Sequence, residues 1–301
     1  MTVLRLATRR SPLALRQATY VQEKLREIGV ECVMVHIETH GDLHLDASLD
    51  AMGGQGVFAL EVQKALIDGV ADVAVHSAKD LPSITPNELA LVCVPERRDA
   101  ADVLVGRSLA GLGPGATVAT GSPRRRALLL ERRPDLRIVG LRGNMATRLD
   151  VARRPGVDAI VAAAAALERL DEVDRVSERL DTEWFVPQVG QGALALEARV
   201  HDPDTHQALL AINDDNALRA VHAERAFLRE LGAGCSIPAG AFATISDGII
   251  TLRGVMLAVD GSRSVRATHV GVEPMDLGRD LALQLRDTMH GDELVGWDVA
   301  R

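Results

Sequence analysis

A base, a hydroxyl, a cation and a carboxylate fall within five residues of one another as His76, Ser77, Lys79 and Asp80, in the stretch Ala71-Asp-Val-Ala-Val-His-Ser-Ala-Lys-Asp80-Leu-Pro82. Val73 to Val75 is a short β-branched apolar run of the kind that forms a buried strand, and Pro82 prevents its simple continuation. Polar groups of four types at a strand end suit a ligand, because open α/β sheets bind ligands beyond the carboxyl ends of their strands. Taken alone, the segment reads as a solvated loop after a strand. Other elements must supply the rest of a site.

A second concentration of chemistry is basic. Lysine occurs only as Lys24, Lys64 and Lys79; the remainder of the 34 basic residues are arginine. Residues 118–169 hold eleven arginines against five acids, inside a chain of formal net charge −8. The overall charge argues against general nucleic-acid affinity. Ser122 with Arg124 and Arg125, then Arg142 and Arg148, then Arg169, each follow a strand-like run and would converge along one sheet edge. The first group also opens a helix, whose free amides and dipole favour anions, and guanidinium matches carboxylate or phosphate in two-point contacts. A ligand with several anionic groups is expected.

Cys235 lies in Gly232-Ala-Gly-Cys-Ser-Ile-Pro238, sterically open, and is either a nucleophile or a small residue in a tight turn. A base such as His76 beside it would give a Cys/His hydrolase. Cys32 and Cys93 sit in apolar runs and read as inert buried thiols. Three scattered cysteines make neither a disulfide framework nor a metal site, so no metal is expected.

The elements that would position these residues alternate. Val3–Ala7 reads as a strand, Ser11 as a helix N-cap and Pro12 as the first residue of a helix to about Ile28. A strand over 30–38 follows, then a polar, glycine-rich stretch over 41–57 with the character of a lid. Phe58–Asp68 is helical, and the strand before Asp80 comes next. The pattern restarts at Thr117-Val-Ala-Thr120, where Ser122-Pro123 repeats the Ser11-Pro12 helix start, and continues through strands at 137–141 and 158–161. Strand–helix alternation predicts parallel, helix-covered sheets in two similarly built α/β domains. Val186–Leu196 looks like a glycine-bearing crossover returning to the first of them. A helix over 216–231, hairpin signals at Asp247-Gly and Asp260-Gly, and a helix over 275–289 make a small α+β third domain. The chain of 301 residues, 47% hydrophobic and 25% charged, suits two or three such domains. It offers no run long enough for a membrane span and no signal-peptide core near its start, so a cytoplasmic protein is expected.

Six motifs in order, Thr8-Arg9-x-Ser11-Pro12-Leu-Ala-Leu, Val75-His-Ser-x-Lys79-Asp80-Leu-Pro, Ser122-Pro-Arg-Arg125, Leu141-Arg-Gly-Asn144 with Thr147-Arg148, Gly190-Gln-Gly192 and Gly234-Cys235, make the chain resemble the porphobilinogen deaminase (hydroxymethylbilane synthase) family over nearly its whole length. The resemblance implies two periplasmic-binding-protein-like (type II) domains with a cleft between them and a small α+β C-terminal domain with a three-stranded antiparallel sheet. It places domain 1 at 1–96 plus 190–212, domain 2 at 97–189 and domain 3 at 213–301. It implies a transferase that joins four porphobilinogen molecules head to tail, releasing ammonia, into linear hydroxymethylbilane on the way to heme. The primer is a dipyrromethane cofactor held by a thioether to Cys235. Asp80 is implied as the catalytic carboxylate. Lys79, Ser77, Thr120, Ser122, Arg124, Arg125, Arg142 and Asp80 are implied cofactor ligands, and Arg9, Ser11, Arg148, Arg169, Phe58 and Gln191 substrate ligands. A monomer without nucleic-acid, membrane or metal partners completes the expectation.

Departures from the family pattern are Ala51 and Gln55 where lysines are common, Gly121 for a second serine and Ala166 for a glycine. The alternative reading is a non-catalytic anion-binding module of the same architecture; a Cys/His hydrolase ranks third.

Overall fold

The computed structural model describes residues 3–38, 59–232 and 237–297. Three sheets organise them. In the first unit β1 (Leu4–Arg9), α1 (Pro12–Glu27), β2 (Cys32–Ile37), α2 (Leu60–Ile67), β3 (Val73–Ser77) and β4 (Leu89–Cys93) follow in order. The chain then crosses to a second unit of β5 (Asp102–Gly106), β6 (Thr117–Ala119), α3 (Pro123–Arg132), β7 (Arg137–Val139), α4 (Met145–Val151), β8 (Ala159–Ala163), α5 (Ala164–Arg169) and β9 (Val176–Arg179). It returns as β10 (Leu194–Arg199) and α6 (Pro203–Leu210). A last unit holds α7 (Asp215–Glu230), β11 (Ala239–Ser246), β12 (Ile249–Leu257), β13 (Ser264–Gly271) and α8 (Pro274–Leu283).

The first sheet has the order β2-β1-β3-β10-β4 and the second β7-β6-β8-β5-β9, which is one topology used twice. Both are mixed, which corrects the expectation of parallel sheets. The strand that arrives from the other unit, β10 in one case and β5 in the other, runs antiparallel to both neighbours. Only strands joined by a helical crossover within their own unit must be parallel, and β10 and β5 are not so joined. The third sheet, β11-β12-β13, is antiparallel throughout. The expected fold class is therefore present: two α/β units and a small α+β unit.

The repeated helix starts are real caps. Ser11 accepts from the Ala14 amide at 3.3 Å and Ser122 from the Arg125 amide at 3.4 Å, each with proline opening the helix. Asn144 caps α4 in the same way, accepting from Thr147 at 3.0 Å. Asp247-Gly248, both at positive φ, turns β11 into β12. Boundaries differ modestly from expectation: α8 stops at Leu283 and continues as a wider turn over Gln284–Thr288. The short β9 and α6 carry too little pattern to have been read.

Packing joins the units. Leu6, Val21, Leu25, Val73 and Leu196 fill the core of the first. Val255 and Leu257 of β12 share a core with Leu128, Leu129 and Phe185 of the second. Ala217 and Val221 of α7 pack beneath Ala78 and Leu81, so the C-terminal unit buttresses the strand end that carries Asp80.

Candidate functional site

Strand β3 passes directly into a 3-10 turn, Ala78–Asp80, closed by the Leu81 amide donating to the Ala78 carbonyl at 3.3 Å. The turn is fixed from below by the returning crossover. Gly190 and Gly192, at φ 73° and 86°, press on it and on the outgoing crossover: a Cβ on Gly190 would lie 2.8 Å from the Ala78 carbonyl carbon, and one on Gly192 2.4 Å from the Arg98 oxygen. Only glycine suits both the conformation and the approach. Gln188 also donates to the Lys79 carbonyl at 3.2 Å. Asp80 is therefore half-buried on a rigid turn.

Facing it, α1 and the end of β1 complete a cavity lined by Arg9, Ser11, Gln17, His76, Ser77 and Asp80 among others. Gln17 Nε2 donates to Ser77 Oγ at 2.8 Å, fixing that hydroxyl. Sequence reasoning missed Gln17. The available signal was an amide at a helix position whose period, three before Tyr20 and four before Val21, points it inward.

The second unit treats its arginines differently from the expected row along a sheet edge. Arg124 and Arg125 turn inward to Asp102, the first residue of β5, which is fully buried. Arg124 Nη2 donates to Asp102 Oδ2 at 2.7 Å and Arg125 Nε to Oδ1 at 2.9 Å. Burial alone would raise the Asp102 carboxyl, but the two guanidinium charges and the Gln191 amide outweigh it and hold it down to about 2. Arg124 also donates to the Val186 carbonyl at 2.6 Å and Arg125 to the Val161 carbonyl at 3.0 Å. Both are thus largely committed to the protein, although Arg124 Nε is buried without a hydrogen-bond partner. Asp102 was unassigned in the sequence reading. A carboxylate opening the apolar run Asp-Val-Leu-Val was its signal.

Gln191 is the junction between the two halves. It is fully buried, donates to the Ala100 carbonyl at 2.7 Å and to Asp102 Oδ1 at 3.0 Å, and accepts from Lys79 Nζ at 3.4 Å and Arg125 Nη2 at 3.5 Å. Lys79 therefore stands between the Asp80 turn and the arginine cluster. Burial lowers its ammonium, Arg125 lowers it further, and the opposing Asp80 and Asp102 charges leave it at about 8. Arg148, which donates to the Gly143 carbonyl at 2.8 Å, is likewise lowered by burial and then by Arg125, against the pull of Asp80. Arg169 donates to the Gly192 carbonyl at 2.8 Å and is lowered to about 10 by burial and by Arg98.

Thr120 is buried, its hydroxyl accepting from the Ser122 amide at 3.2 Å. Arg142 is exposed on the turn before Asn144. A Cβ at Gly121 would stand 2.6 Å from the Leu141 carbonyl oxygen, so this backbone leaves no room there for a serine. Phe58, Ala51, Gln55 and Cys235 lie outside the described residues. Cys32 and Cys93 are buried, with their thiols pushed up by burial to about 11 and about 12. Among the described residues no cluster of three or more His, Cys, Asp or Glu could hold a metal ion, and no helix is long and apolar enough to cross a membrane.

The arrangement holds a carboxylate beside a cavity and cations that crowd one another, bridged by Gln191. Lys79 and Arg148 are both disfavoured as cations by Arg125, so a polycarboxylate in their midst would relieve that repulsion. The donor set fits a pyrrole-based group carrying acetate and propionate arms. Fold and site together define a protein of two α/β units that sets a carboxylate beside a cavity and a cluster of cations next to it.

Comparison with known proteins gives the family. The model of the porphobilinogen deaminase dipyromethane cofactor binding domain matches residues 4–207, and that of the porphobilinogen deaminase C-terminal domain matches residues 218–287. The chain belongs to the porphobilinogen deaminase family. A porphobilinogen deaminase of Syntrophotalea carbinolica is 44% identical over 96% of this chain and 92% of its own. One from Roseiflexus is 43% identical over 94% of this chain and 95% of its own. Among solved structures, a periplasmic substrate-binding protein of an ABC transporter from Coxiella burnetii aligns over 72% of this chain and 94% of its own, at 15% identity and a TM-score of 0.44.

Proposed function

We propose that the protein is a porphobilinogen deaminase, a transferase that condenses four porphobilinogen molecules into linear hydroxymethylbilane with release of ammonia. The observation that carries this reading is the placement of Asp80 on a rigid turn at the cavity, next to Lys79 and the arginines of the second unit. Dipyrromethane, when bound, supplies the starting pair of rings and a free α-carbon to extend. Cys235 would be its covalent attachment point, and Lys79, Ser77, Thr120, Ser122, Arg124, Arg125 and Arg142 would hold it.

Porphobilinogen becomes cationic as ammonia leaves, and the positive charge spreads over the pyrrole ring. The Asp80 carboxylate accepts the ring N–H and stabilises that charge. It lies at a half-buried position, where an ion pair is worth more than in open water. Arg9, Ser11, Arg148 and Arg169 take the carboxylates of the incoming ring, at about 1.5–3 kcal/mol for each charged hydrogen bond. Arg124 and Arg125 act chiefly as a scaffold: fixed by Asp102, they keep a positive field in place without side-chain reorganisation. Gln191 transmits position between Lys79 and that scaffold.

The same reading divides the chain into a domain of residues 1–96 plus 190–212, one of residues 97–189 and one of residues 213–301. It makes the protein a cytoplasmic monomer. Purified protein incubated with porphobilinogen tests the function: consumption with formation of hydroxymethylbilane, together with a two-pyrrole mass increment lost in Cys235→Ala, is expected. Wild-type protein that carries the increment but binds porphobilinogen without consuming it would favour the non-catalytic binding module.

A further inference from the structure

Beneath the cavity lies a polar cluster that the mechanism above does not use. Glu197, in β10, is fully buried. An isolated buried carboxylate costs several kcal/mol, and this one is compensated from three sides. Gln63 Nε2 donates to its two oxygens at 2.9 and 3.2 Å, Thr85 Oγ1 donates at 3.3 Å, and His76 Nε2 lies 3.2 Å from Oε2. Arg225 of α7 closes the group by donating to Thr85 Oγ1 at 3.3 Å. Burial would raise the Glu197 carboxyl, but His76, Gln63 and the Arg225 charge lower it on balance, so it is an anion at neutral pH.

His76 is the one member of this cluster that also borders the Asp80 cavity. Its ring is 5% exposed, and Nε2 is its buried nitrogen, without a well-directed hydrogen bond but 3.2 Å from the Glu197 carboxylate that faces it. A carboxylate behind a histidine selects the tautomer whose proton points at the carboxylate. The other ring nitrogen, Nδ1, is then an acceptor, and an acceptor backed by a buried anion repels carboxylates. Porphobilinogen has two kinds of donor to offer. The pyrrole N–H belongs to Asp80 in the reading above, which leaves the primary ammonium of the aminomethyl arm.

We propose that Glu197 orients His76 so that its Nδ1 accepts a hydrogen bond from the substrate's aminomethyl ammonium, making His76 the residue that sets the reacting arm of each incoming ring apart from its carboxylate arms. The proposal rests on the deaminase reading. Arg9 and Ser11 on one wall would hold anionic arms, while His76 on the floor takes the cationic one.

The test compares porphobilinogen with an analogue in which methyl replaces aminomethyl, using the complete, cofactor-loaded enzyme. In His76→Phe the KM for porphobilinogen should rise about tenfold, the worth of one charge-assisted hydrogen bond. The inhibition constant of the methyl analogue should stay within about twofold of wild type. Equal changes in both, or no change in either, overturn the proposal. Glu197→Gln provides a second route, because an amide there can donate to Nε2 and shift the ring proton to Nδ1. It should produce the same selective rise in KM, and an unaltered KM in a folded Glu197→Gln protein overturns the proposal. Failure of the wild-type protein to consume porphobilinogen would overturn the functional reading instead.

Discussion

In the first α/β unit the helix capped by Ser11 faces an open cavity whose far side is Asp80; in the second, the helix capped by Ser122 sends its two leading arginines inward to Asp102. Strand order, cap and helix-opening proline are the same in both. The chemistry is opposite: one unit presents a carboxylate to a cavity, and the other buries a carboxylate to fix guanidinium groups. A duplicated scaffold can thus supply a reactive wall and a rigid electrostatic wall with a few substitutions at strand ends. Gln191 lies where the two meet and touches both Lys79 and Arg125.

Breaking the scaffold side should have the largest effect. Asp102→Ala leaves two buried guanidinium groups without their partner, and stability should fall by about 3–5 kcal/mol, read by denaturant unfolding. A loss under about 1 kcal/mol would show that water reaches the arginines and that they are not a buried scaffold. The Lys79 junction should be next, at about 1–3 kcal/mol. The folded protein releases the Lys79 proton near pH 8, whereas the ordinary value is 10.5. Below pH 8 the charge is carried in both folded and unfolded states and its burial disfavours folding. Between pH 8 and 10.5 only the unfolded chain keeps the proton, so wild-type stability should rise relative to Lys79→Met over that interval. A pH-independent difference would remove Lys79 from the junction.

Arg148→Ala sharpens the comparison on the ligand side. Unlike Arg125, Arg148 makes one hydrogen bond among the described residues, to the Gly143 carbonyl. Its loss should cost little stability and about tenfold in KM for porphobilinogen. The smallest expected effects come from the caps: Ser11→Ala and Ser122→Ala should each lower stability by about 1 kcal/mol. Ser11→Ala, at the cavity, should in addition raise KM, whereas Ser122→Ala should instead lower retention of the two-pyrrole increment; identical behaviour of the two in both readouts would erase the functional distinction between the walls.

Much of this was legible because it is local. Ser-Pro caps, Gly turns and the β-branched run before His76 declare themselves in a few residues, and the alternation of strand and helix gave two α/β units. The direction of β10 and β5 was not legible, since it depends on the chain crossing between units and leaves no trace in a single strand's composition. The arginine cluster was visible, but its division into committed and ligand-facing members was not. That division is made by Asp102, distant in sequence from both partners and ordinary in its own context. Gln17, Glu197 and Gln63 were missed for the same reason: a polar residue at a buried position shows its purpose only when its partners are in place. The motifs shared with the porphobilinogen deaminase family carried the functional reading further than pattern alone, which reached a polyanion ligand and stopped.

The central claim is that Asp80 performs chemistry and does not merely help hold the ligand. Asp80→Asn, nearly isosteric on its fixed turn, tests it in one preparation by combining intact mass with steady-state turnover. The account predicts that the two-pyrrole increment is retained while kcat falls at least about a hundredfold, the scale expected when a group stabilising developing charge is neutralised. An Asp80→Asn protein that keeps the increment and turns over within about threefold of wild type would contradict it.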